Sequence, residues 1–531
     1  MNDPKAGPDS AVMAGTVAQS GDPQSAIVDF LLRPGVIAPS EPKVHETHIA
    51  RVFVGPQRAL KIKRAVKLAF LDFSTLEKRH AACLSEMVVN QSNAPEIYLG
   101  VVAITKGPNG DLAIGGRGQP VEWAVDMLPF NDNDLLSERA KAGPLSRILM
   151  QQTADAVQEM HARSPVRREA DLVAKMHAIV TEVSDVLSTH AGFIPADELA
   201  RWRALATGAI GPLAPVLAAR VASGAVRRCH GDLHLANIVV WKGLPTLFDA
   251  LEFSEEMATV DTLYDLAFLL MDLVHHGQRS AANTVLNRYL WRSGTLDDLR
   301  ALALLPLYVS CRAGIRAMVA ASRTCKQAGL PSSDHSNRAL SARYLAEAVE
   351  VLTPRPTRLV AVGGLSGSGK STLASQLAPR FTSPAGALHL RSDLERKALM
   401  GVEETFRLPA ESYTAESAAL VYERLLARAG AALAAGHSVI VDAVFARPEE
   451  RQRIQQIAAD HGADFHGIWL EAPAGILRQR VAERRGDASD ATPEVVERQL
   501  SYPIGALDWS IIRAGGSIEQ TAQSTARLLH I

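Results

Sequence analysis

Between residues 44 and 130 the apolar residues fall in short β-like runs: Val52–Val54, Leu60–Ile62, Ile97–Ile104 and Val121–Leu128. A single helix breaks them, and its start is predicted at Ser74, because Ser74 followed by Glu77 fits a capping box. From 140 to 350 the apolar positions recur mostly at helical spacing. A hairpin interrupts them, with strands Ile238–Trp241 and Leu244–Phe248 around a Lys242-Gly243 turn. A small β-rich lobe followed by a larger helical lobe predicts a cleft between the two. The helical pattern runs through Tyr344, Leu345 and Val349–Leu352 and stops at Thr353-Pro354-Arg355-Pro356-Thr357, where the prolines cannot continue a helix. Beyond it, strands Leu359–Val362, Ala387–Leu390, Val439–Val441 and Gly467–Leu470 alternate with helices, which predicts an α/β domain with a mainly parallel sheet. The expected division is a disordered leader 1–24, a domain 25–352, a linker 353–357 and a domain 358–531.

Composition narrows the partners. The 531 residues carry a formal charge of -1, which gives no global attraction to nucleic acid or membrane. Cys83, Cys229, Cys311 and Cys325 lie far apart without a CxxC pair, as in a reducing compartment without structural zinc. The leader lacks a basic start and an apolar core, so it does not read as a secretion signal. Charges interrupt the longest apolar runs: Arg312 after the run from Ala301, and Asp265 and Asp272 around Leu266–Leu270. No bilayer span and a cytoplasmic location are the resulting expectations.

Chemistry enters the first domain at Cys229-His230-Gly231-Asp232-Leu233-His234-Leu235-Ala236-Asn237. Asp232 and Asn237 have the spacing of the H-R-D-L-x-x-x-N catalytic loop. At that spacing Asp232 can take or orient the proton of an attacking hydroxyl while Asn237 offers an oxygen to Mg²⁺. The hairpin then delivers Asp249, a carboxylate suited to an ion bridging ATP phosphates. Asp261 and Asp265, on an apolar helix, are expected to cap or brace the loop.

HGDLHLAN with FDALEF downstream resembles the aminoglycoside phosphotransferase family of protein-kinase-like enzymes. The segments ETHIARVFV, ALKIKRAVKLAFLDFSTLEKR, APEIYLGVV and YDLAFLLMDL carry the likeness across about residues 25–350. The arrangement is similar to two-domain proteins that fuse this fold to a P-loop kinase. The resemblance implies that Asp232 is catalytic and that Asn237 and Asp249 hold metal. It also implies a lysine on the α/β-phosphates, paired with a helix glutamate. Lys61 and Lys63 both sit on the right strand; Lys61 is preferred, with Glu86 rather than Glu77 as partner. Leu235 stands where antibiotic-modifying members carry Pro, and no Gly-rich loop precedes Lys61, which leaves phosphate coverage to the Glu46–Ile49 turn.

In the second domain Gly364-Leu365-Ser366-Gly367-Ser368-Gly369-Lys370-Ser371 matches G-x-x-x-x-G-K-[ST] in full, between a buried strand and a helix opening near Thr372. Backbone amides of Gly364 to Thr372, with Ser366 and Ser368 among them, are expected to cradle phosphates. Lys370 should reach the β/γ-phosphates, and Ser371 should bind Mg²⁺. Arg391-Ser392-Asp393-Leu394-Glu395-Arg396-Lys397 resembles the gluconate-kinase-like and polynucleotide-kinase-like P-loop kinases within the AAA-family ATPases. That resemblance makes Asp393 the general base, or a helix N-cap, and Arg396 an anchor for an anionic part of the substrate. Asp442 looks like the carboxylate that supports Mg²⁺ through water. RQRVAERRGDASDAT resembles a mobile lid, with Arg480 and Arg484 on one helical face as the closing arginines.

The expected fold is therefore an α+β, two-lobed protein-kinase-like domain followed by an α/β P-loop NTPase domain. The expected function is a cytoplasmic, bifunctional ATP- and Mg²⁺-dependent phosphotransferase acting on hydroxyls of small molecules. The competing readings are an ATP-gated regulator with one inactive half and a polynucleotide 5′-hydroxyl kinase. Arg391, Arg396 and Lys397 permit the last, but neutral charge and no obvious aromatic platform give it little support.

Overall fold

The computed structural model describes residues 22–68, 71–324 and 331–531. Residues 1–21 of the expected leader and Cys325 lie outside them. The end of that leader is placed: Gln24 is buried and donates from Nε2 to Lys63 O and Glu122 Oε2.

The chain forms two compact units, 1–276 with 307–352, and 277–306 with 353–531. The second unit thus contains a segment that lies, in sequence, inside the first. The sequence pattern offered only the division near 355, because residues 277–306 continue the same helical spacing as their neighbours.

The first unit opens with a six-stranded antiparallel sheet. Its spatial order is Lys43–Glu46, Ala50–Val54, Ala59–Lys63, Gln119–Met127, Tyr98–Lys106, Leu112–Ile114. Ala59–Lys63 is central and buried along its whole length, lysines included. The helix Leu76–Gln91 packs on the sheet. Its N-cap is Thr75, which accepts from Lys78 N, not Ser74, whose hydroxyl is taken by Asp72 at 2.5 Å. The capping-box reading was therefore one residue early. The larger lobe is helical, with Thr262–His275 buried along almost its whole length. Asp261 caps that helix by accepting from Leu263 N at 2.9 Å. The hairpin Ile238–Trp241 with Leu244–Leu247 turns on Lys242 and Gly243, both at positive φ, as a tight two-residue turn requires.

Among the described residues, two helices, Ala196–Ala222 and Leu296–Arg323, are long and apolar enough to cross a membrane by length and composition alone. The second is mostly buried, as core helices are.

The second unit carries a five-stranded parallel sheet in the order Leu388–Arg391, Val439–Asp442, Arg358–Gly363, Asp464–Glu471, Ser510–Arg513. Parallel strands covered on both faces read as continuous apolar runs, which made the first four visible. Ser510–Arg513 is short and largely exposed and gave no such run.

Candidate active sites

In the first unit, Gly231 sits at φ 82° and would drive a Cβ to 3.0 Å from Leu251 Cβ, so the turn before Asp232 needs glycine. Asp265 fixes this turn: it accepts from His230 N at 3.1 Å and Gly231 N at 2.9 Å. Asp272 does the same further on, accepting from Leu235 N at 2.9 Å. Ligand atoms of His161, Cys229 and Asp265 cluster within 4.8 Å, but the Asp265 oxygens already hold His161 and the loop amides.

The loop delivers Asp232 and Asn237 to one place. Asn237 Nδ2 donates to Asp232 O at 2.9 Å and to Asp232 Oδ2 at 3.0 Å. His234 Nδ1 accepts from Ala236 N at 3.2 Å, which leaves the ring proton on Nε2, 3.4 Å from Asp232 Oδ2. Burial pushes the Asp232 carboxyl up, but His234, His230 and Arg316 outweigh it and hold the group at about 2.

Asp249 has φ 59°, a left-handed conformation that aspartate tolerates better than most residues. Its N–H donates to Tyr98 OH at 3.1 Å, and its carboxylate meets Lys61 Nζ at 2.6 Å. Lys61 also binds Glu86 Oε1 at 2.8 Å, while Lys63 takes the other Glu86 oxygen at 2.6 Å and pairs with Glu252. The two lysines therefore share one glutamate, yet they differ in access. Lys61 lines the interlobe cavity with Asn237, Asp249 and apolar side chains such as Val52, Met127 and Phe130. Lys63 is fully enclosed. Burial depresses the Lys61 ammonium, but Asp249 and Glu86 raise it well above its ordinary value. Glu77 stays exposed beside Thr75 at the helix start. Thr47 and His45 of the turn region also line the cavity. Asn237 uses its amide nitrogen on Asp232, so its oxygen remains as an acceptor beside Asp249, a donor set suited to Mg²⁺.

In the second unit the strand Arg358–Gly363 runs into the glycine loop. Gly367 has φ 82°, and a Cβ there would lie 2.5 Å from Leu477 O. Gly364 is as tight, 2.6 Å from Leu470 O. The loop opens the helix Lys370–Leu377, so its first amides and positive end face the cavity. Lys370 Nζ donates to Leu365 O at 3.0 Å, and the buried Ser368 hydroxyl has no hydrogen-bond partner in the fold. Ser366, Ser371, Thr372, Asp393 and Asp442 line the same cavity of about 1620 Å³.

Asp393 lies in the first turn of the helix Ser392–Leu399, whose N-cap is Arg391; the N-cap reading of Asp393 does not hold. Burial raises its carboxyl, with Asp442 adding and Arg391, Lys370 and Ser489 opposing. The neighbouring Asp442 goes the other way: burial raises it, but His389, Lys370 and Arg391 bring it below the ordinary range. Two carboxylates driven apart in this way suit different tasks. His389 Nε2 stands 3.5 Å from Asp442 Oδ2, and Arg391 Nε 3.9 Å from it, contacts too long for full hydrogen bonds. The buried Asp442 Oδ2 without a full hydrogen bond, together with the Ser371 hydroxyl, fits a hydrated Mg²⁺.

Arg396 is fixed by Ser412 O at 3.1 Å and Ser417 Oγ at 2.9 Å, and its guanidinium lies 4.7 Å from the Tyr413 ring centroid. Arg480 Nη1 reaches Ser368 O at 3.5 Å. The helix Ala474–Glu483 ends before Arg484, which has extended backbone, so Arg480 and Arg484 do not share a helical face. Arg484 lines the cavity. Gly486 at φ 62° follows and turns the chain away from the helical path.

The sequence reading missed the acids that hold the basic residues. Arg391 binds Asp487 at 2.7 Å, and Lys397, almost wholly buried, binds Asp490 at 2.5 Å. The signal was GDASDAT after the lid arginines. It also missed Tyr98 and Glu252, which lie unremarked inside APEIYLGVV and FDALEF, and His389, which carries no motif.

The chain's similarities follow this geometry. The AAA domain family matches residues 359–502. The uncharacterized protein Rv2004c of Mycobacterium tuberculosis is 30% identical over 474 residues, 87% of this chain and 91% of its own length. A shikimate kinase of Rhodopseudomonas palustris is 33% identical over 149 residues, 28% of this chain and 65% of that enzyme. Among solved structures, an amicoumacin kinase in complex with AMP-PNP, Ca²⁺ and Ami covers 62% of this chain and 93% of its own, with 13% identity and a TM-score of 0.38. The chain belongs to the family of that mycobacterial protein, and its second unit carries an AAA domain over residues 359–502.

Proposed function

We propose that the chain is a bifunctional phosphotransferase, with a separate ATP- and Mg²⁺-dependent site in each unit passing a phosphoryl group to small-molecule hydroxyls. The observation that carries this reading is that each unit gathers its own cation, metal-type oxygens and candidate base around one cavity. In the first, Lys61, Asn237 and Asp249 line the cavity and Asp232 accepts from the Asn237 amide. The second has Lys370, Ser371, Asp442 and Asp393.

In the first site Lys61, oriented by Glu86, neutralises the α/β-phosphates. Asn237 Oδ1 and Asp249 hold Mg²⁺. Lys63 keeps Glu86 ionised and in place. Asp232 accepts the proton of the acceptor hydroxyl as the new O–P bond forms and the bond to the β-phosphate oxygen breaks, leaving ADP. Its low proton affinity suits orientation of the hydroxyl and late proton transfer.

In the second site the backbone amides from Gly364 to Thr372, those of Ser366 and Ser368 among them, hold the phosphates. Ser371 and Asp442 hold Mg²⁺. Asp393, the carboxyl with the raised affinity, takes the acceptor proton. Arg396 anchors the acceptor, and Arg480 and Arg484 stabilise charge on the transferring group. When bound, Mg²⁺ would supply charge neutralisation to the transferring phosphates at both sites. The cytoplasm is the proposed location.

A polynucleotide 5′-hydroxyl acceptor for the second site has one observation in its favour: Arg396 stacked on Tyr413, beside Phe406 at the cavity edge. Arg391 and Lys397, which made that reading possible in sequence, are committed to Asp487 and Asp490.

ADP release should persist in Asp232→Ala and in Lys370→Ala and vanish in the double variant, across a panel of sugars, aminoglycosides, nucleosides and oligonucleotides. Loss of all turnover in one single variant with every acceptor overturns the two-site reading.

A further inference from the structure

The strand Leu388–Arg391 lies at the edge of the parallel sheet, and an edge strand leaves a row of backbone groups without a partner strand. Here side-chain amides of one helix, Arg279–Ser293, meet the strand at His389 and the segment just before it. Asn283 Nδ2 donates to Ala385 O at 2.8 Å and to Ala387 O at 2.9 Å. Asn287 Nδ2 donates to Ala387 O at 3.3 Å, and Asn287 Oδ1 accepts from His389 N at 2.6 Å. Two asparagines one helical turn apart thus hold the carbonyls that lead into the strand and the first free amide within it.

The residues they hold lead directly to the phosphoryl-transfer groups. His389, pinned at its backbone by Asn287, places Nε2 3.5 Å from Asp442 Oδ2. One residue further along the helix, Arg288 Nη1 binds Glu404 Oε2 at 2.9 Å. Glu404 Oε1 lies 3.6 Å from Arg391 Nη1, and Arg391 binds Asp487 of the lid segment at 2.7 Å and approaches Asp442 at 3.9 Å. Trp291 Nε1 donates to Leu394 O at 3.2 Å, in the helix that carries Asp393 and Arg396. Three side chains of one helix therefore contact the supports of Asp442, the lid and the acceptor helix.

We propose that the helix Arg279–Ser293 is a positioning element of the P-loop site, with Asn287 setting His389 against Asp442 and Arg288 setting Arg391. This rests on the reading of Asp442 as the Mg²⁺-supporting carboxylate. Groups that orient a metal-supporting carboxylate through one intermediate act on metal affinity more than on the fold. Asn287→Leu removes the acceptor for His389 N. Asn287→Asp keeps an oxygen there and serves as the conservative control.

The test uses the full chain with Lys61→Met and Asp232→Ala, so that both nucleotide binding and ADP release report the P-loop site, and follows binding of a fluorescent ATP analogue with and without Mg²⁺. Asn287→Leu is expected to raise the Mg²⁺ concentration for half-maximal analogue binding by about tenfold, within the range for such outer contacts. Its Mg²⁺-free binding should stay within about twofold of the parent, and Asn287→Asp should recover most of the Mg²⁺ response. Arg288→Met should shift the Mg²⁺ requirement in the same direction, and it decides the matter if Asn287→Leu does not fold. Equal loss of binding with and without Mg²⁺, or parent-like Mg²⁺ dependence in both Asn287→Leu and Arg288→Met, overturns the proposal. If the parent binds the analogue but releases no ADP with any acceptor, the second-site kinase reading fails while the binding measurement still decides the role of the helix.

Discussion

Lys61 and Lys63 share one glutamate: Glu86 gives one oxygen to Lys61 at 2.8 Å and the other to Lys63 at 2.6 Å. Strand alternation normally sends neighbours i and i+2 to the same face, and both lysines reach the same buried carboxylate. Only Lys61 continues to Asp249 and the cavity. The two therefore make opposite predictions. Lys61→Met should lower first-site turnover by about 10²-fold or more, since it removes a preorganised charge from the transferring phosphates. Lys63→Met should act first on stability, by about 3 kcal/mol, because it strands Glu252 and half of Glu86 in the interior. ADP release and thermal unfolding, both in the Lys370→Ala background, separate the two.

Glu86 also links pH to stability. Burial raises its carboxyl, but Lys61 and Lys63 bring it from 4.5 down to about 2. A folded value below the unfolded one means a contribution that is complete above about 4.5 and is lost as pH falls toward 2. Tm of the unit that contains Glu86 should fall across that window, and Glu86→Gln should flatten this part of the slope while lowering Tm near neutrality.

The two candidate bases should give different acid limbs. A base works ionised, so activity disappears as pH drops through its proton affinity. Asp232 is held at about 2, whereas Asp393 is raised above 3.8. On acidification, kcat of the Asp232→Ala protein, which reports the P-loop site, should fall before kcat of Lys370→Ala. The reverse order would remove Asp393 as the base.

Gly367→Ala should abolish nucleotide binding at the P-loop while first-site ADP release persists. Alanine at φ 82° is strained, and its Cβ would meet Leu477 O at 2.5 Å, pushing the lid helix off the phosphate loop. A fluorescent ATP analogue titrated into the Lys61→Met, Asp232→Ala background measures the loss.

Much of both sites was legible because their chemistry is local. Asp232, Asn237 and Asp249 sit within one loop and hairpin, and the phosphate loop is a continuous octapeptide between strand and helix. Lys61 and Glu86 were readable as a strand lysine and a helix glutamate, but their shared geometry with Lys63 depends on how the helix Leu76–Gln91 packs. What stayed hidden is long-range and polar. Asp487 and Asp490 meet Arg391 and Lys397 across more than 90 residues, and no periodicity marks such pairs. Residues 277–306 have ordinary helical spacing, which says that they bury a face but not against which unit.

The helix Arg279–Ser293 also bears on how such a protein could be assembled by gene fusion. A recombination crossover at Pro354, the obvious seam in the sequence, would exchange the phosphate loop but keep the old Asn283 and Asn287. The incoming sheet would then face amides spaced for a different edge strand. A working exchange needs a second crossover pair around residues 277–306. Descendants of one fusion should therefore inherit the two units as a matched set, with changes along the strand Leu388–Arg391 compensated in a helix about 100 residues upstream.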